Sequence, residues 1–104
     1  MKIIISSKEF AKQLENAIKE NCTSININSL QKRIIYNCNS TFSDIVHICN
    51  SNESSNFDYP FEPLKAFKII QFLNMLNEQP IVVDIDFYSI EEIDIEITQT
   101  IFKV

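Results

Sequence analysis

No glycine occurs anywhere in this chain of 104 residues, and that absence removes more folds and chemistries than any other property of the sequence. Glycine tolerates positive φ and lets the backbone approach a ligand closely, so phosphate-cradling loops of the P-loop and dinucleotide-binding kinds are ruled out. Turns must be made by Asn, Asp and Ser, whose short polar side chains bond to neighbouring backbone. Asn-Ser pairs stand where the hydrophobic pattern breaks: Asn28-Ser29, Asn39-Ser40 and Asn50-Ser51.

Between those breaks the hydrophobic period changes in an orderly way. Ile3, Ile4 and Ile5 form a short β-branched run ending at Ser6-Ser7, and Ser7 is placed to cap a helix. Phe10, Ala11, Leu14, Ala17 and Ile18 then share one side of a helix that ends near Glu20-Asn21. The period next becomes two: Ile25 and Ile27, then Ile34 and Tyr36, then Asp44 to Cys49 read as three strands. Residues 50–56 contain no apolar side chain and mark a linker. Beyond it, Phe57-Asp58-Tyr59 is extended, Pro60 and Pro63 bracket a turn, and Leu64 to about Asn77 is a second helix carrying Ile69, Ile70, Phe72, Leu73 and Leu76. Pro80 blocks further helix, and runs from Ile81, Ile93 and Ile101 read as three more strands. Both halves, about 1–50 and 57–104, therefore read β-α-β-β-β within one domain spanning 1–104. The expected class is α+β, a duplicated unit that places two helices on one face of a curved antiparallel sheet.

Charge narrows the range of functions. Nine basic against fourteen acidic side chains leave a net charge of −5, the wrong balance for a free basic nucleic-acid-binding domain. On the first helix, however, Lys8, Lys12 and Lys19 fall within about 40° of one another, opposite the apolar side, with Glu15 close to the same line. On the second, Lys68, Gln71 and Asn74 take the polar side, Lys65 lies in the first turn, and Phe67 and Met75 also fall toward that polar side. Strand alternation puts Asp84 and Asp86 on one face and Asp94 and Glu96 on one face of the next strand, an acidic surface with Glu91 and Glu92 between them. That cluster lacks the looped spacing of a calcium site, and a flat sheet lacks the cleft that acid-base hydrolysis needs.

The remaining chemistry-bearing residues are few. His47, the only histidine, stands in a strand without a Cys or His at ligand spacing. Cys22, Cys38 and Cys49 are odd in number and form no Cys-x-x-Cys pair, and they read as reduced thiols of a cytoplasmic protein. The first residues offer only three consecutive apolar positions where an export signal uses about 7–15, and no run approaches the roughly 20 of a spanning helix. The expectation is a non-enzymatic protein with no metal, no cofactor and no membrane segment.

Two stretches carry a family resemblance: Met1-Lys2-Ile3-Ile4-Ile5 with Lys8-Glu9-Phe10-Ala11-Lys12-Gln13-Leu14, and Phe61-Glu62-Pro63-Leu64-Lys65-Ala66-Phe67-Lys68-Ile69-Ile70 leading through Leu76-Asn77 into three strands. With the order of elements along the whole chain, they resemble one domain of the bacterial DNA polymerase sliding clamp (β clamp) family. TATA-binding-protein-like folds are the neighbouring architecture. In the clamp family six such domains close into a ring and the helices line the hole that DNA passes through. The resemblance implies a homo-oligomer, a ring of six copies of this single domain, around double-stranded DNA without sequence readout. Lys8, Lys12, Lys19 and Lys68 would then touch phosphates, and replication proteins would be the partners of a processivity or tethering factor. The alternative is a small acidic interaction module or inhibitor that uses the Asp84, Asp86, Asp94 and Glu96 face and binds no DNA.

Overall fold

A computed structural model describes residues 2–49, 56–85, 93–97 and 100–103. The chain runs β1 (Lys2–Ser6), α1 (Ser7–Lys19), β2 (Ser24–Asn28), β3 (Arg33–Asn37), β4 (Phe42–Ile45), β5 (His47–Cys49), β6 (Asn56–Pro60), α2 (Pro63–Asn74), β7 (Pro80–Ile85), β8 (Ile93–Ile97) and β9 (Thr100–Lys103). This is the α+β class expected from the periodicity. The strands divide between two antiparallel sheets, however, with orders β5-β1-β7-β8-β9 and β4-β3-β2-β6.

The two sheets are related by an exchange. β1, which opens the first half, pairs with β7 of the second half, with Ile3 opposite Val83 and Ile5 opposite Ile81. β6, which opens the second half, pairs with β2 of the first, with Ile25 opposite Tyr59. The order β1-β7-β8-β9 thus has a counterpart in β6-β2-β3-β4 when the halves are interchanged. Neither half can complete its sheet alone, so the two are bound by backbone hydrogen bonds as well as by side-chain packing.

A continuous strand was expected over 44–49, and the structure breaks it at Val46. β4 pairs with β3 in one sheet, while β5 pairs with β1 in the other. Val46 is buried, and its N–H donates to the Lys32 carbonyl at 2.9 Å. A strand that switches sheets at a bend closes a corner between them.

The helices follow the apolar stripes. α1 buries Phe10, Ala11, Gln13, Leu14 and Ala17, and α2 buries Ala66, Ile69, Ile70 and Leu73. These join Ile3, Ile5, Ile81 and Val83 of one sheet and Ile25, Ile27, Ile34, Tyr36 and Tyr59 of the other in a single core. The helices also pack against each other. Their direction is antiparallel, because the start of α1 is tied to the end of α2: the Ser7 N–H donates to Gln79 O at 2.7 Å, and the Ser7 hydroxyl donates to Asn77 O at 3.3 Å and accepts from the Gln79 N–H at 3.1 Å.

Three local details correct the sequence reading. The capping position belongs to Ser6 (φ −64°, ψ 137°), because β1 runs into α1 without a loop, and Ser7 is the first helical residue. α2 begins at Pro63, a first-turn proline whose missing N–H is not needed, and stops at Asn74. Cys22 and Cys38 are joined in a disulfide, their α carbons 4.0 Å apart. The β2–β3 register, which sets Ser24 opposite Asn37, brings these flanking positions together. The reading of both as reduced thiols is therefore overturned, and with it the cysteine argument for a cytoplasmic location.

Without glycine, left-handed backbone falls to other residues. Asn21 (φ 54°) ends α1, with the following Cys22 N–H reaching back to Ala17 O at 2.9 Å, and Lys32 (φ 53°) turns β2 into β3. Asn suits the first position because its short amide tolerates this region. Linker residues 50–55 and the acidic positions Asp86, Glu91 and Glu92 lie outside the described residues. Among the described residues no helix is long and apolar enough to cross a membrane.

Candidate functional site

The outer side of the helix pair gathers the lysines singled out by the sequence. Lys8, Lys12 and Lys19 of α1 and Lys68 of α2 are all exposed, as their position opposite the buried stripes requires. Glu9, Glu15 and Asn16 are also exposed along α1. α1 holds three lysines and two glutamates, and α2 two lysines and no acid, so together the helices carry +3 in a chain of net −5. Lys65 sits 3.5 Å from Glu62 at the start of α2, an i,i+3 pair between a half-buried lysine and an exposed glutamate, of small energetic weight.

The outer side of α2 is not simply basic. Leu64 (78% exposed), Phe67 (51%) and Met75 (84%) stand beside Lys68, Gln71 and Asn74. Three apolar side chains in water are not what phosphate contact asks for; α1 offers more exposed lysines, but its exposed Glu9 and Glu15 leave it a net +1 against +2 for α2.

Beneath α1 lies a polar chain that the sequence reading did not single out. The Tyr36 hydroxyl donates to Gln13 Oε1 at 2.7 Å, and Gln13 Nε2 donates to Asp44 Oδ2 at 2.7 Å. Asp44 Oδ1 accepts the Ile45 N–H at 2.8 Å. One line of hydrogen bonds thus ties α1 to β3 and β4. Burial, and secondarily the Asp44 charge, push the Tyr36 phenol above its ordinary pKa, so it remains the donor. Its ring stacks on Phe42 with centroids 4.7 Å apart. The signal for Gln13 was present: it shares the face of Phe10, Leu14 and Ala17, where a polar side chain needs a buried partner.

The acidic strands pair in a particular row. Asp84 is the register partner of Asp94, and that pair is flanked by Lys2 opposite Asp84 and Lys103 opposite Asp94. Glu96 stands opposite Val82. His47 is the register partner of Ile4 in β5.

A different acidic grouping appears where the two sheets meet. Glu9 in the first turn of α1, Asp44 of β4 and Glu78 before β7 line one open cleft of about 450 Å³ with Ile4, Ile5, Ile45 and Pro80. These carboxylates come from three distant points of the chain, and no sequence pattern connects them. Among the described residues no group of three His, Cys, Asp or Glu is arranged to hold a metal ion. A second, smaller cleft of about 130 Å³ opens between Lys8 and the end of α2 at Asn74 and Leu76.

No match to this chain is found among protein families, curated proteins or solved structures.

Proposed function

We propose that this chain is a non-enzymatic, sliding-clamp-like protein that self-associates into a closed ring and tracks along double-stranded DNA as a processivity or tethering factor. The observation that carries the reading is the pair of adjacent helices with a net positive charge in an otherwise acidic chain. Lysines on an exposed helix face meet phosphate oxygens without reading bases, which is the contact a protein that slides needs. The reciprocal exchange of first strands between halves supports it as well, since it joins the halves by backbone pairing with both helices side by side. Replication proteins are the partners this role calls for, and a cytoplasmic site of action accompanies it.

Light scattering across concentration, with and without circular DNA, tests the proposal. Six copies of a 12.1 kDa chain form an assembly of roughly 73 kDa with closed symmetry. A ring of that mass stays on circular DNA and is released when the DNA is linearised, because only encirclement makes retention depend on free ends. Reversing Lys8, Lys12 and Lys19 together to Glu abolishes retention, and adding Lys68→Glu deepens the loss. Retention that survives the triple reversal removes those residues from the interface. A monomer that ignores DNA at every concentration moves the function to the acidic Asp84, Asp86, Asp94 and Glu96 surface.

A further inference from the structure

The cleft between the sheets has a character of its own. Its volume of about 450 Å³ falls in the range of about 300–1,000 Å³ typical of ligand sites. Its floor is apolar, with Ile45 left 68% exposed beside Ile4 and Pro80. Three carboxylates, those of Glu9, Asp44 and Glu78, stand around that floor, and among the described residues no Lys or Arg lines it. Two of them, Glu9 and Glu78, are exposed, and Asp44 accepts a hydrogen bond from the buried Gln13 amide.

Two further observations belong to the same place. Ser6 lines the cleft, and its hydroxyl oxygen is buried with no hydrogen-bond partner. β5 pairs with β1 only as far as Ile4 opposite His47, because the chain turns at Val46 toward the other sheet. Ile5 and Ser6 therefore have β7 on one side and, among the described residues, no strand on the other. A short strand edge, an orphaned hydroxyl and an apolar floor under three negative charges converge on one opening.

We propose that this cleft docks a short extended segment of a partner protein presenting Lys or Arg next to an aliphatic side chain. The cation answers the carboxylates, the aliphatic group covers Ile45, and the segment's backbone meets the edge of β1 at Ser6, the residue of the Ile5-Ser6 pair whose backbone faces away from β7. The carboxylates do not converge as a metal site requires, and their charge repels a phosphate backbone. The inference stands apart from the clamp reading, since it uses the opposite charge and residues away from Lys12, Lys19 and Lys68.

The test uses the whole chain and a fluorescein-labelled, amidated hexapeptide of alternating Arg and Ile, read by fluorescence polarisation. One control peptide replaces Arg with Glu and another replaces Ile with Ser. The expected result is saturable binding of the Arg-Ile peptide, with each control weaker by about tenfold or more. The double variant Glu9→Gln/Glu78→Gln and the single variant Ile45→Ser each weaken it by about tenfold, whereas Glu15→Gln on α1 leaves it unchanged. All four positions are exposed, so the fold is expected to persist, and circular dichroism checks that it does. No saturation below about 1 mM, or an equal loss from Glu15→Gln, overturns the proposal. If the peptide fails to bind and Ile45→Ser instead lowers the mass of an assembly, a second copy of the chain occupies the cleft and the proposal is wrong.

Discussion

Replacing Tyr36 with Phe removes one oxygen atom from the buried chain that joins α1 to β3 and β4. The ring, its stacking on Phe42 and the packing around it are retained, so the change isolates the hydroxyl. What remains is Gln13 Oε1 without its donor at a side chain only 6% exposed. Leaving a buried acceptor unsatisfied costs about 1–3 kcal/mol, and a value near 2 is expected because Gln13 is held from its other end by Asp44. For a domain of this size, about 2 kcal/mol lowers the melting temperature by roughly 8–16 °C. Gln13→Leu costs a similar amount for the converse reason, since it strands the Tyr36 hydroxyl in the core. The pair replaced together leaves neither group orphaned, so the double variant is less destabilised than the sum of the singles by about 1–2 kcal/mol. Urea denaturation of the four proteins measures this cycle. Single costs below about 0.5 kcal/mol, or additivity within about 0.5 kcal/mol, would refute the account of Gln13 as a buried bridge.

Three other outcomes follow from the same structure. Because the folded Tyr36 phenol is raised above its unfolded value, its contribution is intact below about pH 10 and is lost as pH rises beyond, by up to about 1.4 kcal/mol per pH unit; Tyr36→Phe flattens that alkaline limb in denaturation curves taken at stepped pH. At Asn21, with φ 54°, Ala lowers stability by about 1 kcal/mol while Gly does not, a contrast that thermal melts of the two variants resolve. Thiol titration of the unreduced, denatured chain counts one free cysteine, Cys49, and reduction exposes all three; breaking the Cys22–Cys38 bond, which spans a sequence separation of 16, lowers stability by up to about 3 kcal/mol.

Local physics made part of this molecule legible in its sequence. A 3.6-residue period placed Phe10, Leu14 and Ala17 inward and Lys8, Lys12 and Lys19 outward, and the structure buries the first set and exposes the second. Alternation likewise predicted buried Ile25, Ile27, Ile34 and Tyr36. The absence of glycine left turns to Asn, Asp and Ser; positive φ does fall on Asn21, but its other position among the described residues is Lys32, and neither lies at an Asn-Ser pair. Periodicity says which face a side chain takes because that depends only on its neighbours along the chain.

It does not say which strand lies opposite, and here that choice decides the rest. Only tertiary pairing shows that β1 and β6 change places between the halves, that the chain crosses sheets at Val46, and that Cys22 meets Cys38. The same pairing sets Lys2, Asp84, Asp94 and Lys103 at one register row across four strands, a juxtaposition that alternation within one strand does not give. Glu9, Asp44 and Glu78 share a cleft because two sheets and the end of a helix meet there. Partners separated by tens of residues are selected by the combined burial of both sheets and both helices, a property of the whole core that no local window of sequence contains.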